Sequence, residues 1–64
     1  MKSYSSRDVI RKLLDDGWEF AGQEGSHRHF KHPSIKGKAT VPHPKSHIPI
    51  RTLKNIEKQT GIRF

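Results

Sequence analysis

The chain contains no cysteine. That absence removes both a disulfide framework and any thiolate zinc site as a source of stability. It also has no apolar run approaching membrane-spanning length. The opening Met1-Lys2-Ser3-Tyr4-Ser5 lacks the apolar stretch of a secretory signal. A cytoplasmic protein without membrane contact is the expectation. Hydrophobic residues make up only 30% of the 64, which rules out a deep core. A domain this short buries about 60% of the surface its unfolded chain exposes. Residues 1–64 are therefore expected to form one domain with a thin core, of the kind that gains stability from a partner. High charge and low hydrophobicity are also the composition of disorder. Trp18, Phe20, Phe30 and the regular aliphatic spacings below argue against it.

Carboxylates are missing from the whole middle of the chain. Of the six acids, five lie at or before Glu24, and the sixth is Glu57. The acid-free interval carries Arg28, Lys31, Lys36, Lys38, Lys45, Arg51 and Lys54, together with all five histidines. With a formal net charge of +7 so sharply segregated, a polyanion such as nucleic acid is the natural partner.

The elements read in simple order. Ser5 with Asp8 three residues on is a helix start, the hydroxyl accepting from a free backbone N–H. Val9, Ile10, Leu13 and Leu14 then share one side, and Gly17 supplies a left-handed stop. The spacing predicts a helix over 6–16. Residues 18–22 alternate at the period of a half-buried strand, and 23–26 read as a hairpin turn around Gly25. Residues 28–32 form a second strand ended by Pro33, and 38–41 a third ended by Pro42. Short connections favour an antiparallel meander. Pro42-His43-Pro44-Lys45-Ser46 is an extended loop, and Pro49 opens a second helix with Ile50, Leu53 and Ile56 on its apolar stripe and Gly61 as its stop. Two helices on one face of the sheet satisfy every apolar face at once. The fold class is α+β: a two-layer helix–three-stranded antiparallel sheet–helix domain.

Alternation then sorts the second strand. With Phe30 inward, Arg28 and His32 lean to the core side, while His27, His29 and Lys31 face the open side. Burying Ala39 and Val41 sends Lys38 and Thr40 to that same open side. Two imidazoles, two ammonium groups and a hydroxyl, with no acid on either strand, suit phosphate. Imidazole beside cations is also the minimal equipment for cutting RNA, because the 2′-hydroxyl nucleophile already sits next to its phosphate. What remains is a base, an acid and charge neutralisation, and histidine serves as base or acid near neutrality. No cofactor is expected. His29 with His32, or His43 with His47, completes no four-ligand set, so no metal site is expected either. His27 and His29 are the candidate catalytic residues. Ser26, Arg28, Lys31, Lys38 and Lys45 are the candidate RNA- and phosphate-binding residues. A non-catalytic RNA-binding module of the same fold explains the charge equally well, and a small domain docking an acidic protein is a third reading.

The segment Gly25-Ser26-His27-Arg28-His29-Phe30-Lys31-His32-Pro33 resembles the core signature of the HicA toxins. Leu13-Leu14-Asp15-Asp16-Gly17-Trp18 is similar to that family's helix-to-strand junction, Val41-Pro42-His43-Pro44 to its Pro-His-Pro loop, and Thr52-Leu53 through Gly61-Ile62 to its last helix. The resemblance covers nearly the whole chain in order. It implies a double-stranded-RNA-binding-domain-like fold and a metal-independent mRNA interferase, an endoribonuclease that arrests growth. It also implies a HicB-type antitoxin as partner and His27 as the catalytic histidine. His29, where the family varies, owes its candidacy to strand geometry alone.

Overall fold

A computed structural model describes residues 3–64. Its elements run α1 (Ser6–Asp15), β1 (Glu19–Glu24), β2 (His27–Lys31), β3 (Lys38–Pro42) and α2 (Ile50–Thr60). The strands form one antiparallel sheet in the order β1-β2-β3. This is the two-layer α+β order expected, in the double-stranded-RNA-binding-domain-like arrangement.

Local chemistry accounts for each boundary. Ser5 and Asp8 form a reciprocal capping box: Asp8 N–H donates to Ser5 Oγ at 3.2 Å, and Ser5 N–H donates to Asp8 Oδ2 at 3.3 Å. These two bonds satisfy donors that a helix start leaves orphaned. The helix ends one residue short of expectation, and Gly17 turns the chain at φ 96°. The β1–β2 connection is tighter than the four-residue turn read from sequence. Only Gly25 and Ser26 lie between the paired Glu24 and His27. Gly25 has φ 57° and no other residue of the turn has positive φ, which is the pattern of a type II′ hairpin. The tight turn lets the ladder run on, so β1 reaches Glu24 and β2 begins at His27. A register shift between Phe20 and Gly22 leaves Ala21 as a bulge.

The core gathers Val9 and Leu13 from α1, Trp18, Phe30, Ala39 and Val41 from the sheet region, Ile48 from the loop, and Leu53 and Ile56 from α2. Two aliphatics expected inside are not. Leu14 and Ile50 are each 52% exposed. Ile50 is the first residue of α2, so the buried stripe starts a turn later, at Leu53, and ends at Thr60. Ile48 takes the vacated place from the loop, held by its N–H on Tyr4 O at 2.8 Å. Phe20 is 56% exposed because β1 is the outer strand; its ring meets Phe30 edge-on at 6.0 Å. The opposite edge strand, β3, is covered: Thr40 N–H donates to Gln59 Oε1 of α2 at 3.2 Å. Covering an edge removes a template for unwanted strand pairing. Among the described residues, no helix is long and apolar enough to cross a membrane.

Candidate active site

The register builds the open face as three cross-strand rungs. His27 is opposite Pro42, His29 opposite Thr40, and Lys31 opposite Lys38. Phe30 opposite Ala39 and Arg28 opposite Val41 fall between them and face the helices. The alternation read from sequence therefore holds, and it divides the seven candidate residues into separate groups.

His27 is exposed at the start of β2, immediately after the turn, and has no hydrogen bond to any described residue. It lines an open cleft of about 340 Å³ between the sheet and α2, together with Thr40, Pro42, Lys45, Thr52, Asn55, Ile56 and Gln59. The imidazole is thus unbonded; the cleft sets one cation and uncharged polar groups beside it, and Glu24 is its cross-strand partner on β1.

His29 is held more firmly. Its Nδ1 lies 2.9 Å from Thr40 Oγ1. Thr40 directs its backbone N–H away to α2, so His29 and Thr40 form a non-hydrogen-bonded rung, the kind whose side chains approach most closely. Its Nε2 lies 3.7 Å from Glu24 Oε1, and only 20% of the side chain is exposed against 89% for the glutamate. This contact corrects the picture of a face free of carboxylates. No acid lies on β2 or β3, but pairing with β1 brings one alongside.

Lys31 and Lys38 face each other at the other end of the row, roughly 13 Å along the strand from His27 at ~3.3 Å per residue. Lys45 comes to the cleft from the loop, and the loop is tied down at several points. Ser6 N–H donates to Lys45 O at 2.8 Å, and Lys45 N–H donates to the buried Ser6 Oγ at 3.0 Å. His43 Nδ1 lies 2.8 Å from the same Oγ, and His43 N–H donates to Ser26 O at 2.7 Å. Ser26 thereby joins the turn before His27 to the loop that carries Lys45. Arg28 stands apart from this group. It is half-buried on the helix-facing side, with its guanidinium 6.0 Å from the Phe20 ring centre and its Nε buried without a partner.

The other three histidines serve the architecture. Ser34 N–H donates to His32 Nδ1 at 3.0 Å, so Nε2 carries the proton and donates to Asp16 O, also at 3.0 Å. The His32 ring also packs on Trp18 at 5.2 Å. His43 anchors the loop as described, and His47 bonds Ser3. Among the described residues, no group of three or more histidine or carboxylate side chains is arranged to hold a metal ion.

Sequence reading missed the α2 wall of the cleft. Thr52, Asn55 and Gln59 recur at helical spacing beside the buried Leu53, Ile56 and Thr60. That band of uncharged polar residues on an otherwise charged helix was the available signal.

With the open face, its free imidazole and the loop beside it in place, comparison decides the family. The family described as HicA toxin of bacterial toxin-antitoxin matches residues 6–62. The chain belongs to the HicA toxin family. The match runs from the start of α1 to just beyond α2, so every element of the fold lies within it. No curated protein matches the sequence. Membership makes this HicA chain the toxin component of a toxin–antitoxin system, with an antitoxin as its partner.

Proposed function

We propose that this HicA toxin is a metal-independent endoribonuclease, an mRNA interferase whose open sheet face binds RNA and whose His27 carries out acid–base chemistry. The observation behind this reading is the placement of His27. It is the histidine with neither ring nitrogen engaged among the described residues, and it lies in a cleft with Lys45 and without a lining carboxylate. In the proposed reaction His27 accepts the proton of a ribose 2′-hydroxyl. The freed oxygen attacks the adjacent phosphorus, a 2′,3′-cyclic phosphate forms, and the 5′-oxygen leaves with a proton returned from an imidazolium. His29, roughly 7 Å away along the strand, is the candidate second imidazole. Lys31, Lys38 and Lys45 neutralise the backbone, and Ser26 shapes the turn that presents His27. The proposed antitoxin is of the HicB type, with this face as its target.

Incubating the purified protein with total RNA in EDTA tests the reading directly. New 5′-hydroxyl ends with wild type, and none with His27→Ala, are the expected result. Binding to RNA without new ends would favour the second reading, a non-catalytic RNA-binding module, which the basic sheet face supports equally.

A further inference from the structure

The cleft beside His27 has a wall that the proposed acid–base chemistry leaves unused. Three side chains of α2, Thr52, Asn55 and Gln59, face it at successive turns, and none carries charge. At about 340 Å³ the space lies near the bottom of the ~300–1,000 Å³ range of small-molecule sites. It suits one flat polar group rather than a duplex. Pro42 and the edge of the buried Ile56 are its apolar lining, and Lys45 is its one cation.

The orientation of Gln59 is fixed. Its Oε1 accepts from Thr40 N–H at 3.2 Å, an acceptor role the amide nitrogen cannot take, so Nε2 and its two donor hydrogens remain for a ligand. Asn55, four residues earlier and exposed, has no hydrogen bond to a described residue and offers both donor and acceptor. Carboxamides of this kind match the mixed donor–acceptor edges of nucleobases. In A-form RNA the duplex hides most of those edges, whereas an unpaired base presents them freely.

We propose that the cleft between α2 and the open sheet face is a subsite for one unpaired RNA nucleotide, whose base edge is read by the carboxamides of Asn55 and Gln59. The proposal rests on the reading of the open face as an RNA surface. It adds that the toxin selects single-stranded positions and discriminates the base bound next to the cut phosphate. Lys45 meets that nucleotide's phosphate, and the half-buried Pro42 meets the face of its base.

The test separates this subsite from catalysis by using 2′-O-methylated oligoribonucleotides, which lack the nucleophilic hydroxyl and so remain intact. Wild-type protein labelled with nitrogen-15 is titrated with such a strand, and separately with the same strand annealed to its complement. The side-chain NH₂ signals of Asn55 and Gln59 are followed. Shifts of both pairs with the single strand, and at least several-fold weaker ones with the duplex, are expected. Asn55→Asp, which places a carboxylate in the cleft, should weaken single-strand binding by about tenfold while leaving the backbone spectrum of the rest of the fold unchanged. Unmoved amide signals at saturating single strand, or equal shifts with the duplex, would overturn the subsite. Should the amides shift while unmodified RNA survives intact, the subsite stands and the nuclease reading falls.

Discussion

The two ends of β2 each place a histidine, and the contrast between them separates a free imidazole from an anchored one. His32, just past the end of the strand, has both ring nitrogens committed, to Ser34 N–H and Asp16 O, and its ring lies on Trp18. It ties the end of α1 to the sheet. His27, at the beginning, is exposed and unbonded to any described residue, in a cleft shared with Lys45. A side chain whose lone pair and proton are both engaged is poorly placed to accept a substrate proton. One that packs against little contributes little to stability. The same residue type therefore occupies opposite environments at the start of one short strand and just past its end.

Substitutions at the two ends should dissociate activity from stability. His27→Ala is expected to have the largest effect, a loss of at least ~10²-fold in RNA cleavage, the low end of what a positioned base supplies. Its stability should change by no more than a surface substitution does, about 0.5 kcal/mol, so its melting temperature should hardly move. Initial rates and a thermal melt on the same preparation check both halves. Retained cleavage would remove His27 from the mechanism. His32→Ala should do the reverse. Losing two hydrogen bonds and a ring contact costs about 2–3 kcal/mol, read as a lowered urea midpoint, with the cleavage rate per folded molecule unchanged.

Gly17→Ala sharpens the His32 end from the other side. A Cβ there would lie 3.0 Å from His32 Nε2, on a backbone held at φ 96°. The expected loss is about 1–2 kcal/mol in the same urea titration. If stability did not fall, the junction would be looser than its geometry implies. At the His27 end, His29→Ala should cause a smaller kinetic defect than His27→Ala. Its ring is shared with Thr40 and lies near Glu24, so a several-fold loss in single-turnover rate is expected, and equality with His27→Ala would make the two imidazoles equal partners. The smallest effect belongs to single lysines. Lys31→Ala or Lys38→Ala should reduce the slope of log affinity against log salt by at most about 1. An unchanged slope would place that lysine outside the RNA track.

Much of the site was legible because a strand alternates. Once Phe30 is inside, His27, His29 and Lys31 must share the other face, and no tertiary detail is needed to say so. The type II′ geometry of Gly25 and Ser26 was harder to read, since a four-residue stretch rich in polar residues admits several turns. That choice decided whether His27 ended a loop or began a strand. Glu24 escaped notice for a related reason: it precedes the turn in sequence and returns to His29 only through cross-strand pairing. Ile50 misled because a stripe of every third residue does not show where a helix begins.

Local periodicity and caps, together with the uneven distribution of charge, sufficed to determine the order of elements, most of the inward residues (Leu14 and Ile50 excepted) and the basic character of β2 and β3. Those properties depend on neighbours in the chain, and neighbours are what a sequence displays. The division of five histidines into bonded fasteners and a free imidazole was decided by tertiary structure alone, as was the cleft formed where α2 lies along β3. Both depend on which distant backbone groups arrive within hydrogen-bonding reach, such as Asp16 O beside His32 and Gln59 beside Thr40. Contacts of that kind exist only once the chain has closed on itself.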